Sequence, residues 1–306
     1  MKQYIVRRVG YSLLSLFLLS LTIFLFVRLT GDPTALLLEP GASQADIENL
    51  RRQLGLDQPL WVQYWRFAES FITGDLGLSF YYRTPVLDLY FDRLPNSVLL
   101  AAVAMGFSLI VGIPSGVLAA VHVGGFWDNA GKIFTLLGLS LPSFFIGLVM
   151  ILFFTVYLGW LPSSGSGTAW HLVMPAVTLG WYFAAAHMRM TRSSMLEVLG
   201  SEYVKLARLK GLPEKLVIGK HAFKNALIPV ITLAGINLVV MINVAVVVET
   251  IFAWPGIGRL LYEGIAFRDF PIVQTVVVFG GSMIILVNLL VDILYATIDP
   301  RIRLES

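Results

Sequence analysis

Val9 to Val27 reads VGYSLLSLFLLSLTIFLFV, an uncharged run held between Arg8 and Arg28. A helix needs about 20 mostly apolar residues to cross the hydrocarbon core of a bilayer, because each backbone N–H and C=O must be paired inside the segment. This run is too long for the h-region of a signal peptide and lacks a small-x-small cleavage site, so it is expected to stay as a membrane helix. Five further stretches read the same way: Ser97–Val121, Ile133 to about Leu158, Leu172–Met188, about Ala226–Val248 and Phe270–Val291. The fourth is the weakest, since Pro175 and His187 interrupt it. The expected fold is all-α integral membrane with six transmembrane helices.

Composition agrees. Hydrophobic residues make up 57% of the 306 positions and charged residues 13%, far more apolar surface than one soluble core can bury. A net charge of +3 gives no case for a nucleic-acid partner. With no cysteine there is no disulfide framework, thiolate metal site or Cys nucleophile, and the histidines at 122, 171, 187 and 221 are scattered. No metal site is expected. Of the 22 Lys and Arg, fourteen fall at Lys2, Arg7, Arg8, Lys132, Arg301, Arg303 and between Arg189 and Lys224, in segments on one side of the six spans. Basic residues in short loops favour the cytoplasm, so both termini are expected there.

The organisation read from this pattern is 1–30 as the N-terminal segment and first span, 31–96 as an external segment, and 97–306 as a five-helix core. The external segment holds two short amphipathic helices. Ser43 is placed as an N-cap with Asp46 three residues on and Gly55 at the C-terminal end. In the second helix Pro59 is placed at the first position, Leu60, Trp61, Tyr64, Trp65 and Ala68 on one aromatic face, and Gly74 at the end. That face suits the outer membrane interface or a cap on the bundle. Within the spans, Gly112-Ile113-Pro114-Ser115-Gly116 lets a neighbouring backbone come close. Glu249 and Asp292, at or near the ends of spans five and six, are the intramembrane polar candidates.

The loop from 189 to 225 is the most informative. Glu202, Lys205 and Arg208 form a polar stripe, and Tyr203, Leu206 and Ala207 an apolar one. Gly211 closes this helix, and Pro213 with Glu214 opens another that continues through His221.

In order and spacing the chain resembles the inner-membrane permease subunits of ABC importers, in particular the B-type subunit of the dipeptide, oligopeptide, glutathione and nickel group. The residues that carry the resemblance include Gly31-Asp32-Pro33, Leu54-Gly55-Leu56-Asp57-Gln58-Pro59, Gly74-Asp75-Leu76-Gly77 and Leu141-Pro142-Ser143-Phe144. They continue with Arg192-Ser193-Ser194-Met195, Ala207 to Gly211, Glu249-Thr250-Ile251-Phe252, Trp254 to Gly258 and Asp292-Ile293-Leu294-Tyr295. The resemblance implies a type I ABC importer permease fold in a bacterial inner membrane. It also implies a coupling helix that docks on an ATPase subunit, with Glu202, Tyr203, Lys205, Leu206, Ala207, Arg208, Gly211 and His221 as its candidates. Ala207 and Gly211 match the family's Glu-Ala-Ala motif, while Lys205 and Leu206 replace its glutamate and first alanine. The loop 252–271 is implied to meet an external substrate-binding protein through Trp254, Pro255, Gly256, Gly258, Arg259, Glu263, Arg268 and Asp269.

The partners implied are a second homologous permease subunit, two ABC ATPases, the binding protein and membrane lipid. ATP and Mg would sit on the ATPases, with no cofactor or catalytic residue on this chain. Gly125 to Lys132 resembles a phosphate-binding loop but fails, because five residues separate Gly125 from Gly131-Lys132 and Ile133 stands where Ser or Thr is needed. Two other classes are open to the sequence. Gly138-Leu139-Ser140 with His187 would make an intramembrane serine protease if the two side chains met. A secondary transporter would show inverted repeats with interrupted helices, and no such repeat is visible.

Overall fold

The computed structural model describes the backbone of residues 2–29, 34 and 43–298, and the side chains of 6–29, 34 and 43–290. Gly31-Asp32-Pro33, Arg301 and Arg303 lie outside the described residues, as do the side chains of Lys2 and Asp292. All regular structure among the described residues is helical, apart from one bridge pairing Leu78 with Pro85.

Among the described residues four stretches are long and apolar enough to cross a membrane unaided: Val6–Leu29 within α1 (Lys2–Leu29), α4 (Val86–Val121), Glu214–Val244, and Phe270–Leu290 within α13 (Phe270–Ile298). The expected third span is not one continuous helix. It breaks at Leu141-Pro142 into α5 (Phe126–Ser140) and α6 (Ser143–Met150), which a π-helical segment Ile151–Tyr157 prolongs, the two arms meeting at 104°. Proline removes a backbone donor and pushes the preceding residue out of helical geometry, and Leu141 duly sits at φ −81°, ψ 126°. The expected fourth span lies within α7 (Trp170–Leu199), 30 residues long. It does not qualify on composition, because buried positions from Met174 to Met195 face protein and need not suit lipid. Five of the six expected spans therefore rest on composition and length, and one on length alone. The fifth is also interrupted, since α10 (Phe223–Val244) gives way at Ala245 to α11 (Val246–Ile251).

Chain contacts define two compact units, Asn96–Pro255 and Met1–Pro95 with Gly256–Ser306. In the first, α7 packs on α4 through small residues, as the Gly112/Gly116 pattern predicts. A Cβ added at Gly112 would stand 2.7 Å from the Ala184 carbonyl oxygen, and one at Gly116 2.6 Å from that of Met188. Gly180 makes the reciprocal approach to the Ala104 carbonyl, at 2.6 Å. Such backbone proximity gives dispersion contacts that lipid tails cannot match.

In the second unit α2 (Gln44–Gln53) carries the expected capping box. Ser43 Oγ accepts from Asp46 N at 3.2 Å, and Ser43 N donates to Asp46 Oδ2 at 3.1 Å. These Ser43 hydrogen bonds hold the Asp46 carboxyl below its ordinary range. α3 (Leu60–Thr73) starts one residue after the position expected, so Pro59 is its N-cap, and Gly74 ends it at φ +78°. The expected aromatic face divides. Tyr64 turns to α1, with its Oη 2.9 Å from Ser20 Oγ and its ring edge-on to Phe17 and Phe24, while Trp61 and Trp65 stay exposed. A single helix face cannot hold both 61/65 and 64/67/71, and the Phe67 and Phe71 rings complete the packed side.

Candidate functional site

The loop after α7 folds into α8 (Glu202–Leu209), the turn at Gly211, and a short helix α9 (Glu214–Leu216) that runs through a π-helical segment, Val217–Ala222, into α10. Glu202 and Lys205 pair at 2.8 Å, and Arg208 reaches both oxygens of Glu214, at 2.7 and 3.2 Å. Gly211 sits at φ +75°, its N–H donating to the Arg208 carbonyl at 2.9 Å and that of Leu212 to Ala207 at 3.4 Å. This is a left-handed helix stop of the kind glycine adopts without steric cost.

The expected apolar stripe of Tyr203, Leu206 and Ala207 also divides. Ala207 turns inward with Val204 and packs on Val217, Val198, Leu199 and Leu212. Tyr203 and Leu206 face outward, joined by Leu209, which is 85% exposed. Positions 203, 206 and 209 share a face by helical spacing, a signal present in the sequence but hidden by Ala207. Tyr203 Oη accepts from Asn225 Nδ2 at 2.8 Å and donates to the His221 carbonyl at 3.4 Å, so His221 takes part through its backbone. The result is an exposed apolar ridge on a helix fixed at both ends.

The loop 252–271 is more buried than its sequence suggests. In the Asn96–Pro255 unit Trp254 is buried, its Nε1 donating to the Asn96 carbonyl at 3.0 Å, and Asn96 Nδ2 donates to the Pro255 carbonyl at 2.9 Å. In the other unit Gly256 caps α12 (Ile257–Ala266) and Gly258 is buried. Arg259 pairs with Glu263 at 2.8 Å, and Tyr82 Oη donates to Glu263 at 2.6 Å. Burial, with the Glu263 carboxylate beside it, pushes the Tyr82 phenol up to about 12. Asp269 is fully buried, accepting from Ser79 Oγ at 2.5 Å and from the Tyr81 backbone at 2.9 Å. Arg268 is exposed at φ +51°, beside a Phe267 ring stacked on Tyr81 at 3.9 Å. Ser79, Tyr81 and Tyr82 were invisible to a reading of the loop alone, because their partners lie some 180 to 190 residues away in sequence.

Glu249 on α11 is fully buried and accepts from Ser97 Oγ at 2.6 Å. Asp292 lies on α13, and its side chain is outside the described residues. The Ser140–His187 dyad does not form. His187 Nδ1 lies 3.2 Å from Ser108 Oγ, and Asn237 Nδ2 lies 3.3 Å from His187 Nε2. Since Ser108 gives its proton to the Met105 carbonyl at 2.8 Å, its oxygen accepts from His187, and both ring nitrogens are engaged without Ser140.

Sequence reading missed Asp128, which is fully buried at the start of α5. Its carboxylate meets Arg192 Nε at 2.7 Å, Lys132 Nζ at 2.9 Å and the Gly124 N–H at 2.9 Å. The segment that fails as a phosphate loop is thus an ionic clasp between α5 and α7. Beside it lie two cavities, of about 540 Å³ and about 340 Å³, that share Leu139 and Ser140.

An all-helical chain with several apolar spans, two of them interrupted, is the architecture of a multi-pass membrane protein. The family described as binding-protein-dependent transport system inner membrane component matches residues 112–304, and its N-terminal counterpart matches 1–101. The glutathione transport system permease protein GsiC of Escherichia coli (strain K12) is 40% identical over 304 residues, 99% of each chain. The protein of the same description from Shigella boydii serotype 4 (strain Sb227) is 39% identical over the same length. Among solved structures, the inward-facing MetNI methionine ABC transporter matches with a TM-score of 0.56 and 21% identity, over 69% of this chain and 96% of that one. An amino acid ABC transporter crystallised with histidines matches at 0.53 and 13%, over 69% and 94%. The chain belongs to the binding-protein-dependent transport system inner membrane component family, and is an ABC importer permease of the peptide and glutathione group.

Proposed function

We propose that the chain forms half of a translocation path for a small peptide or peptide-like solute such as glutathione, working by alternating access with a second homologous permease subunit. Both termini and the 189–225 loop face the cytoplasm in this reading. Two ABC ATPases bind and hydrolyse ATP with Mg, and this chain carries neither. The observation that carries the reading is the ridge of Tyr203, Leu206 and Leu209, exposed on a helix whose inner face is packed on Val217 and whose far end is locked by Gly211 and the Arg208–Glu214 pair. An apolar ridge held so rigidly suits a cleft on a partner, since its contacts form without ordering a loose segment. Glu202, Lys205 and Arg208 flank the ridge and set its orientation. The external binding protein meets the 252–271 loop where Arg268 and Phe267 are exposed, while Trp254, Gly256, Gly258 and Asp269 hold that loop from within.

Cross-linking tests this directly. Because the chain has no cysteine, Leu206→Cys in the assembled complex should couple to a single cysteine in the ATPase cleft, and Ser164→Cys should not. Failure of every ATPase position to couple, with the ATPase still bound, would place the docking surface elsewhere.

A further inference from the structure

The two cavities beside α7 follow one another along a single face of that helix. Thr178 and Tyr182 line the larger, Arg189 and Arg192 the smaller, and Ser140 of α5 lines both. Steps of four, seven and three residues keep these four α7 positions on one side. The larger cavity also lies against the break at Leu141-Pro142. Irregular backbone at membrane depth persists only where it is buried in protein or lines a water-filled cavity, and here the break lines a cavity.

The two ends of the trough differ in charge. Lys132, Arg189 and Arg192 converge on the smaller cavity. The buried Asp128 carboxylate is bonded to Arg192 and Lys132, and Arg189 has no partner among the described residues. Three cations against one carboxylate leave an excess of positive charge in a cleft with low-dielectric walls, which concentrates anions. The Arg189 guanidinium offers a planar fork that fits a carboxylate or phosphate through two parallel hydrogen bonds. Toward the break the walls are aliphatic and aromatic, with the hydroxyls of Ser140, Ser143 and Tyr182 among them.

We infer that this face of α7 is the solute-facing wall of the path, and that Arg189, with Lys132 and Arg192, forms a subsite for the anionic end of a solute whose uncharged body lies against Tyr182 and the break. The inference rests on the permease reading and deepens it: the solutes favoured are small molecules with a terminal carboxylate, such as peptides with a free C-terminus. A phospholipid headgroup offers the same anionic chemistry, and the test separates the two.

Ser140→Cys in the otherwise cysteine-free chain, purified in its complex and placed in phosphatidylcholine nanodiscs, is modified with negatively charged sulfonatoethyl methanethiosulfonate and with its positively charged trimethylammonium counterpart. Relative to Ser164→Cys in an exposed loop, the ratio of anionic to cationic rates should rise about tenfold, the size of effect a focused local potential gives. Arg189→Gln should return the ratio to the control, and Arg189→Lys should keep most of it. Trialanine should protect the thiol and trialanine amide should not. If Ser140→Cys does not insert, Thr135→Cys on the same cavity serves. A control-like ratio, no reaction with either reagent, or indifference to Arg189→Gln overturns the subsite. Protection by phosphatidylglycerol but not by trialanine makes it a lipid site and overturns the solute reading. The labelling needs no turnover, so a complex that shows the charge preference yet imports nothing counts against the permease reading and not against the subsite.

Discussion

Replacing Gly211 with valine isolates the backbone of the turn proposed to couple the chain to its ATPase from its packing. Nothing lies within 4 Å of a Cβ built at Gly211, so the substitution meets no steric clash outside its own backbone. The cost comes from φ +75°, a conformation that an L-residue holds at about 1–2 kcal/mol and a β-branched one at up to about 3 kcal/mol. That is a shift of about 5- to 150-fold between the turn and its opened alternatives. Opening breaks the Gly211 N–H to Arg208 and Leu212 N–H to Ala207 hydrogen bonds and frees Val204 and Ala207 from Val217, so the Tyr203–Leu206–Leu209 ridge loses its fixed direction. The α1, α4 and α13 spans do not involve this turn, so insertion should be normal. The assay is membrane level, ATPase co-purification and uptake for Gly211→Val, beside Gly211→Asn, which tolerates the left-handed region. Valine should lower ATPase retention or uncouple hydrolysis from uptake, and asparagine should stay near wild type. Wild-type uptake with a full complement of ATPase in Gly211→Val would refute the role given to this helix.

Asp128→Asn leaves Arg192 and Lys132 without their carboxylate. Both cations are partly exposed, so water offsets part of the loss, and the melting temperature of the purified complex should fall by a few degrees at most, about 2–4 °C. Gly112→Leu and Gly116→Leu drive side chains into backbone carbonyls under 3 Å away and should abolish stable expression, whereas Gly106→Ala, with open space around it, should be neutral by fluorescence size-exclusion chromatography. The Tyr82 phenol is pushed up to about 12, so its donation to Glu263 stabilises the fold fully below about pH 10, the unfolded value, and is lost as pH rises through about 12. An ultraviolet titration of wild type minus Tyr82→Phe should show one tyrosinate forming near that upper value. Single cysteines at Ser43, Ser164 and Lys210 in spheroplasts should label with an impermeant maleimide at the first two only, and rapid labelling of Lys210→Cys would invert the topology.

Much of the fold was legible because lipid imposes a crude rule on sequence, a length of apolar residues. Val9–Val27 and Phe270–Val291 obey it and lie inside α1 and α13. Leu172–Met188 obeys it poorly because α7 is packed by other helices, and burial in protein relaxes the demand for apolar residues. The break in the third span was written at Leu141-Pro142, but a proline inside an apolar run does not announce its bend angle. Local features such as the Ser43 cap, the Gly74 stop and the Gly211 stop were readable because each depends on neighbours within a turn or two. Features made by distant partners were not. Asp128 looked like part of a failed phosphate loop until Arg192 was placed beside it, and Asp269 looked exposed until Ser79 and Tyr81 closed over it. The split of Tyr203 and Leu206 from Ala207 needed the position of Val217.

Reconstitution in proteoliposomes tests the central claim most directly: this chain with its second permease, the ATPases and the binding protein, supplied with labelled trialanine or glutathione and ATP. Uptake should require ATP inside, the binding protein outside and this chain in the membrane, and the chain alone should neither hydrolyse ATP nor import. ATP hydrolysis by the isolated chain after stringent removal of contaminating ATPases, or equal uptake with the chain left out, would contradict it.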